Sequence, residues 1–165
     1  MKQRTLSILV DNTAGVLQRV AGLFSRRDYN IDSLTVGETA DPRYSRMTVV
    51  AKGDDNVLDQ IMKQVAKLED VKTVKILDPD SSVQRELIMI KVKCDATQRQ
   101  SLVSLTSIFR AKIIDVGKES LIIEATGAVG KLEALIDLLG GFEILEIART
   151  GLTGLSRGSD DVTYL

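Results

Sequence analysis

The chain has 165 residues, with 22 Lys and Arg against 23 Asp and Glu, no His, no Trp, one Cys and two Pro. That length holds one domain or two small ones, and so balanced a charge supplies no long-range field for phosphate or anionic lipid. Without His the commonest general base and metal ligand are missing, and a lone Cys94 makes neither an intrachain disulfide nor a zinc cluster, which fits a reducing cytoplasm. Catalysis by this chain is therefore the less favoured reading.

Residues 1–4 run straight into an alternating segment with no apolar signal core, and no stretch approaches the roughly 18 apolar residues of a membrane span. The expected product starts at Met1 and is soluble. Residues 5–11 alternate, with Leu6, Ile8 and Val10 on one face, the pattern of a half-buried strand. Residues 14–27 switch to helical spacing through Val16, Val20, Leu23 and Phe24. Strand character returns over 31–39, a turn at 41–45 contains Pro42, and Met47, Val49 and Ala51 alternate again. A helix over 56–68 carries Leu58, Ile61, Met62, Val65 and Leu68, and a strand over 71–77 completes the order βαββαβ.

After a polar break at 78–82 the order recurs: a strand over 87–94, a helix over 97–109, and strands at 113–116 and 121–125 with Gly117 near their turn. A last helix presents Leu132, Leu135, Ile136 and Leu139 and ends at Gly140-Gly141, before a strand over 142–148. The expected fold is α+β, two ferredoxin-like βαββαβ domains in tandem over 1–78 and 86–165, joined by a linker at 79–85, with a C-terminal tail on the second. Residues 1–82 hold 12 basic and 12 acidic side chains and the remainder 10 and 11, so neither half is a charged tail. Domains of about 80 residues have marginal cores, and a four-stranded sheet with both helices on one face leaves the other face and its edges open. Both facts predict self-association or docking on a larger partner.

The turn Asp11-Asn12-Thr13-Ala14-Gly15 holds the most informative chemistry. The first amides of a helix suit a carboxylate, Gly15 lets a ligand approach the backbone, and the Asn12 amide both donates and accepts, as a zwitterionic amino-acid head requires. Plain helix capping by Asn12 or Thr13 explains the same residues. Asn30, just after the first helix, reads as a left-handed cap. If two copies pair through their 31–39 edges, Asn30 of one faces the Asn12 turn of the other, with Val16, Ile31 and Val36 near the ligand side chain.

The blocks 11–17 (DNTAGVL) and 27–36 (RDYNIDSLTV) resemble the ACT domain of the small, regulatory subunit of acetohydroxyacid (acetolactate) synthase. The likeness continues through Ser45-Arg46-Met47-Thr48, residues 108–116 (IFRAKIIDV), Ala148-Arg149-Thr150-Gly151 and Leu155-Ser156-Arg157-Gly158. The resemblance makes the first domain an ACT domain and implies a homodimer whose paired ACT domains bind a branched-chain amino acid, typically valine, for feedback inhibition. By that likeness Asn12, Gly15, Asn30 and Ile31 map onto effector-binding positions, with Val16 and Val36 beside them. It also implies a partner, the large catalytic subunit carrying thiamine diphosphate, Mg²⁺ and FAD, which this chain would activate and which would leave it no cofactor, metal or catalytic residue of its own. Asp28 stands where the family commonly has Gly, and residues 159–165 match nothing in it.

Other features read as structural. The carboxylate pairs Asp54-Asp55 and Asp160-Asp161 suit caps and solvated loops better than catalysis. Cys94 ends an alternating run and has no nearby base, so it reads as a core residue. Arg26-Arg27 and Lys91/Lys93 read as solvated charge. An RNA-recognition sheet would carry aromatics where Met47-Thr48-Val49-Val50 stands, and a metal sensor would need His or several Cys. The alternative to the synthase subunit is a freestanding ACT-type amino-acid sensor regulating a different metabolic enzyme.

Overall fold

Residues 2–159 are described by the computed structural model; the Asp160-Asp161 pair lies outside them. They form two compact units, one holding residues 2–84 together with 152–159, the other Arg85–Gly151.

The first unit contains β1 (Lys2–Asp11), α1 (Val16–Ser25), β2 (Ile31–Glu38), β3 (Tyr44–Gly53), α2 (Asp55–Val65) and β4 (Val71–Ile76). The sheet order is β2-β3-β1-β4, antiparallel throughout, which makes β2 an edge strand. Alternation puts Leu6, Ile8 and Val10 opposite Val49, Met47 and Ser45, on the face that buries Val16, Val20 and Phe24 of α1 and Leu58, Ile61 and Val65 of α2. Asp54 caps α2 by accepting from the Asn56 amide at 2.9 Å, and Asp55 takes an ion pair from Arg4 at 2.8 Å. That carboxylate pair is structural.

The second unit repeats the topology with β5 (Ser82–Lys93, of which Arg85 onward belongs to this unit), α3 (Arg99–Ile108), β6 (Lys112–Val116), β7 (Ser120–Gly127), α4 (Val129–Leu138) and β8 (Glu143–Arg149), in the order β6-β7-β5-β8. Ile88, Ile90 and Val92 face Ala125, Ile123 and Leu121 across the ladder and pack with Leu102, Leu132, Leu135 and Leu139. Cys94 is buried in the same core. A 3₁₀ turn over Leu139–Gly141 finishes α4 where the glycine pair stands. No helix among the described residues is long and apolar enough to cross a membrane.

Four expectations are corrected. The linker expected over 79–85 is shorter, because β5 begins at Ser82; Asp78 folds the break back by accepting from the Asp80 amide at 2.9 Å. The C-terminal domain expected over 86–165 is divided, because residues from Leu152 belong to the first unit. There a strand missed by the sequence reading, β9 (Thr153–Ser156), pairs with the start of β5, the Arg157 amide donates to the Ser81 carbonyl at 2.8 Å, and the Thr35 hydroxyl donates to the Leu152 carbonyl at 2.9 Å. Gly154 makes this possible: a Cβ there would meet Leu77 at 2.9 Å and the Val83 carbonyl at 3.0 Å.

Third, the centre of the helix-free face of the first sheet is covered. Ser7, Leu9, Thr48 and Val50, which share that face by register, are at most 3% exposed. Fourth, the left-handed residue after α1 is Asp28 (φ 54), not Asn30. The Tyr29 amide then reaches back to the Phe24 carbonyl at 3.1 Å, and the same device ends α3, with Arg110 at φ 53 and the Ala111 amide on the Thr106 carbonyl at 2.8 Å. This backbone wrap satisfies terminal helix carbonyls and outweighs the steric penalty of a Cβ at positive φ.

Candidate functional site

The end of β1 is tied on both sides before α1 begins. The Asp11 amide donates to the Asp70 carbonyl and the Asn12 amide to the Arg43 carbonyl, both at 2.8 Å. The Asn12 side chain then anchors the β2–β3 hairpin: Nδ2 donates to Glu38 Oε2 at 3.2 Å and to the Pro42 carbonyl at 3.0 Å, while Oδ1 accepts from Ser45 Oγ at 3.0 Å. Asn12 is thus a positioning residue for the turn, with both amide protons spent inside the unit.

The N-cap of α1 is Gly15, in the left-handed conformation (φ 86, ψ −10), and it supplies no side-chain cap. Capping by Asn12 is excluded by its hairpin bonds. Gly15 is required by its backbone angle, because an L side chain at this φ is strained. The helix opens with exposed Thr13, Ala14 and Gly15 and with leading amides that have no partner within the helix. Ion pairs flank the turn, Arg19 to Asp70 at 2.7 Å and Lys72 to Asp11 at 2.9 Å. The Lys72 ammonium is held more firmly protonated by its bond to Asp11.

The other expected site residues are distributed differently. Val16 points into the core at 2% exposure, so it offers a ligand only its backbone. Ile31 is partly buried against the same core. Asn30 is exposed and bonds Asp32 Oδ1 at 3.3 Å. Val36 is 43% exposed, near the Glu38 end of β2. Within one chain these residues do not converge: Ile31 and Glu38 are opposite ends of an eight-residue strand, roughly 23 Å apart at strand rise. Asn12 touches one end and Asn30 precedes the other.

Glu38, Pro42 and Ser45, which fix Asn12, were not legible beforehand, because no local pattern links residue 12 to a hairpin some 30 positions away. The basic features are largely paired: Arg27 donates to Gln60 at 2.9 Å, Lys91 pairs with Glu146 at 3.1 Å and Lys93 with Glu143 at 2.9 Å. No group of three or more potential metal-ligating side chains occurs among the described residues.

Comparison with known proteins matches residues 6–73 to the family described as the AHAS small subunit-like ACT domain and residues 85–158 to the family described as the small subunit of acetolactate synthase. The chain is 51% identical over 157 residues to the acetolactate synthase small subunit of Mycobacterium bovis, covering 95% of this chain and 94% of that one. It is 50% identical over 155 residues to a probable acetolactate synthase small subunit of Methanothermobacter thermautotrophicus, covering 93% and 92%. The crystal structure of the acetolactate synthase small subunit from Thermotoga maritima is similar with a TM-score of 0.88 and 45% identity, covering 96% of this chain and 99% of that one.

Proposed function

The chain belongs to the small-subunit family of acetolactate synthase, and from that premise we propose that it regulates a separate large catalytic subunit by binding a branched-chain amino acid, valine first, between two copies of its first unit. The observation that carries this reading is the distribution of the site along β2. Antiparallel pairing of two β2 edges would set Asn30 of a second copy beside the Asn12–Gly15 turn of the first, closing the 23 Å gap that one chain leaves open.

In that arrangement the effector carboxylate accepts from the leading amides of α1, which Gly15 exposes and no N-cap side chain occupies. The polar side chain of Asn30 from the second copy meets the ammonium group, and the aliphatic Ile31 and Val36 border the side chain. The large subunit, which the family resemblance makes the carrier of thiamine diphosphate, Mg²⁺ and FAD, performs the chemistry. This chain acts by population shift: it favours the active arrangement of its partner when the site is empty and the inhibited one when it is filled. A differential affinity of about 1–3 kcal/mol gives 5–150-fold regulation.

The test mixes the full chain with the acetolactate synthase large subunit of the same organism and follows acetolactate formation with and without valine. The expected result is a rise in activity on adding the chain and its loss on adding valine. Unchanged activity in both conditions overturns the proposal and leaves the freestanding sensor.

A further inference from the structure

The helix-free face of the first unit holds a second feature, separate from the α1 turn. There β2, β3 and β9 border an open pocket of about 410 Å³, lined by Thr35, Gly37, Thr39, Arg46 and Thr153–Leu155, with Glu38 at its rim. That volume lies within the range of small-ligand sites, about 300–1,000 Å³.

Arg46 forms the floor. Its cross-strand neighbours are Leu9, which is 3% exposed, and Gly37, which has no side chain. The guanidinium is half-buried, its Nη1 donates to the Ser7 hydroxyl at 2.9 Å, and no carboxylate pairs with it among the described residues. Burial lowers its proton affinity, as expected of a cation short of solvent and of a counter-charge. A guanidinium has five N–H donors, and Ser7 takes one of them.

The rim does not supply the missing charge. Glu38 and Gly37 are consecutive on β2 and therefore face opposite sides of the sheet, and the Glu38 carboxylate accepts from Asn12. The Thr35 and Thr39 hydroxyls already donate to the carbonyls of Leu152 and Asp41. Gly37 keeps the cavity open, because nothing lies within 4 Å of where its Cβ would stand.

The geometry points to a binding site for a small oxyanion, a carboxylate or phosphate, that pairs with Arg46 in this cavity. A planar guanidinium with free N–H groups binds either class through two parallel charge-assisted bonds. The site is on the opposite face of the sheet from the helices and does not depend on the effector reading above.

The test is amide NMR of the full chain at fixed ionic strength, titrated separately with inorganic phosphate and with succinate. The expected result is saturable movement of the Gly37, Thr153 and Gly154 amide signals with at least one of them, phosphate alone or succinate alone naming the class. Arg46→Gln is expected to weaken that binding by roughly tenfold or more. Gly37→Leu fills the cavity from a position with open space and is expected to do the same, so it decides the matter if Arg46→Gln fails to fold. Non-saturable shifts with both anions, or saturable binding that survives the folded variants unchanged, overturn the site.

Discussion

The turn from β1 into α1 and the turn from β5 into α3 stand at the same point of the same topology, yet they are held in different ways. In the first unit Gly15 caps α1 with no side chain, and Asn12 is drawn aside to the hairpin. In the second, Asp95 Oδ1 accepts from the Thr97 amide at 2.8 Å and the Gln98 amide at 2.9 Å, closing the turn just ahead of α3, whose N-cap Gln98 also supplies no side-chain cap. The Thr97 hydroxyl, which also donates to Asp95, together with those backbone bonds holds the Asp95 carboxyl below its ordinary value. The helix-free faces differ as well: the first buries Ser7, Leu9, Thr48 and Val50, while the second exposes Met89 and a ladder of Lys91–Glu146 and Lys93–Glu143 pairs. One topology thus carries a left-handed glycine N-cap in one copy and an aspartate-closed turn ahead of the helix in the other.

The sharpest way to break this contrast is Gly15→Asp, which strains the left-handed N-cap and puts a carboxylate where the effector's belongs. Calorimetry with valine is expected to show affinity lower by about 100-fold, equivalent to about 2.7 kcal/mol; unchanged affinity would move the site elsewhere.

Next in size is a pair of arginines that hold the second helix of each unit. Arg149 bonds Glu86, whose side chain is 6% exposed, and Glu133 of α4, whereas Arg4 serves Asp55 and Asp59, which are 39% and 51% exposed. Arg149→Met leaves a buried carboxylate unpaired and is expected to cost about 2 kcal/mol, less than a fully buried pair because Arg149 is itself a third exposed. Arg4→Met should cost under about 1 kcal/mol. Urea denaturation checks both, and equal losses would erase the distinction.

Asp28→Gly removes a Cβ from a left-handed position and is expected to stabilise the first unit by about 1 kcal/mol, read in the same urea experiment. The smallest effect is Asp95→Ala, a drop of a few degrees in Tm at neutral pH. Since the folded-state pKa of Asp95 is depressed, its contribution is present above the ordinary carboxylate value and disappears as pH falls through the lowered one. Wild type and variant should therefore converge in acid. A Tm gap that persists there would show that the charge on Asp95 is not what secures the turn.

The periodicities of two and 3.6 residues marked all twelve elements of the duplicated βαββαβ order, and they identified Leu6, Ile8, Val10, Ile88, Ile90 and Val92 as core, because burial on one face leaves its trace within a few residues of sequence. Gly15 was legible for a related reason, since a glycine opening a helix is a local signal. Asn12 was marked as a site residue, but its partners were not.

What only the tertiary structure decided is non-local. β9 is four residues, Thr-Gly-Leu-Ser, with no apolar period to betray it, and its partners around Ser81–Gln84 lie some 70 positions earlier in the chain. The return of residues from Leu152 to the first unit, the covered centre of its helix-free face and the lack of a carboxylate beside Arg46 among the described residues all depend on contacts of that kind. Sequence periodicity records which way a side chain faces relative to its own backbone; what it meets there is set by segments whose order along the chain carries no such record.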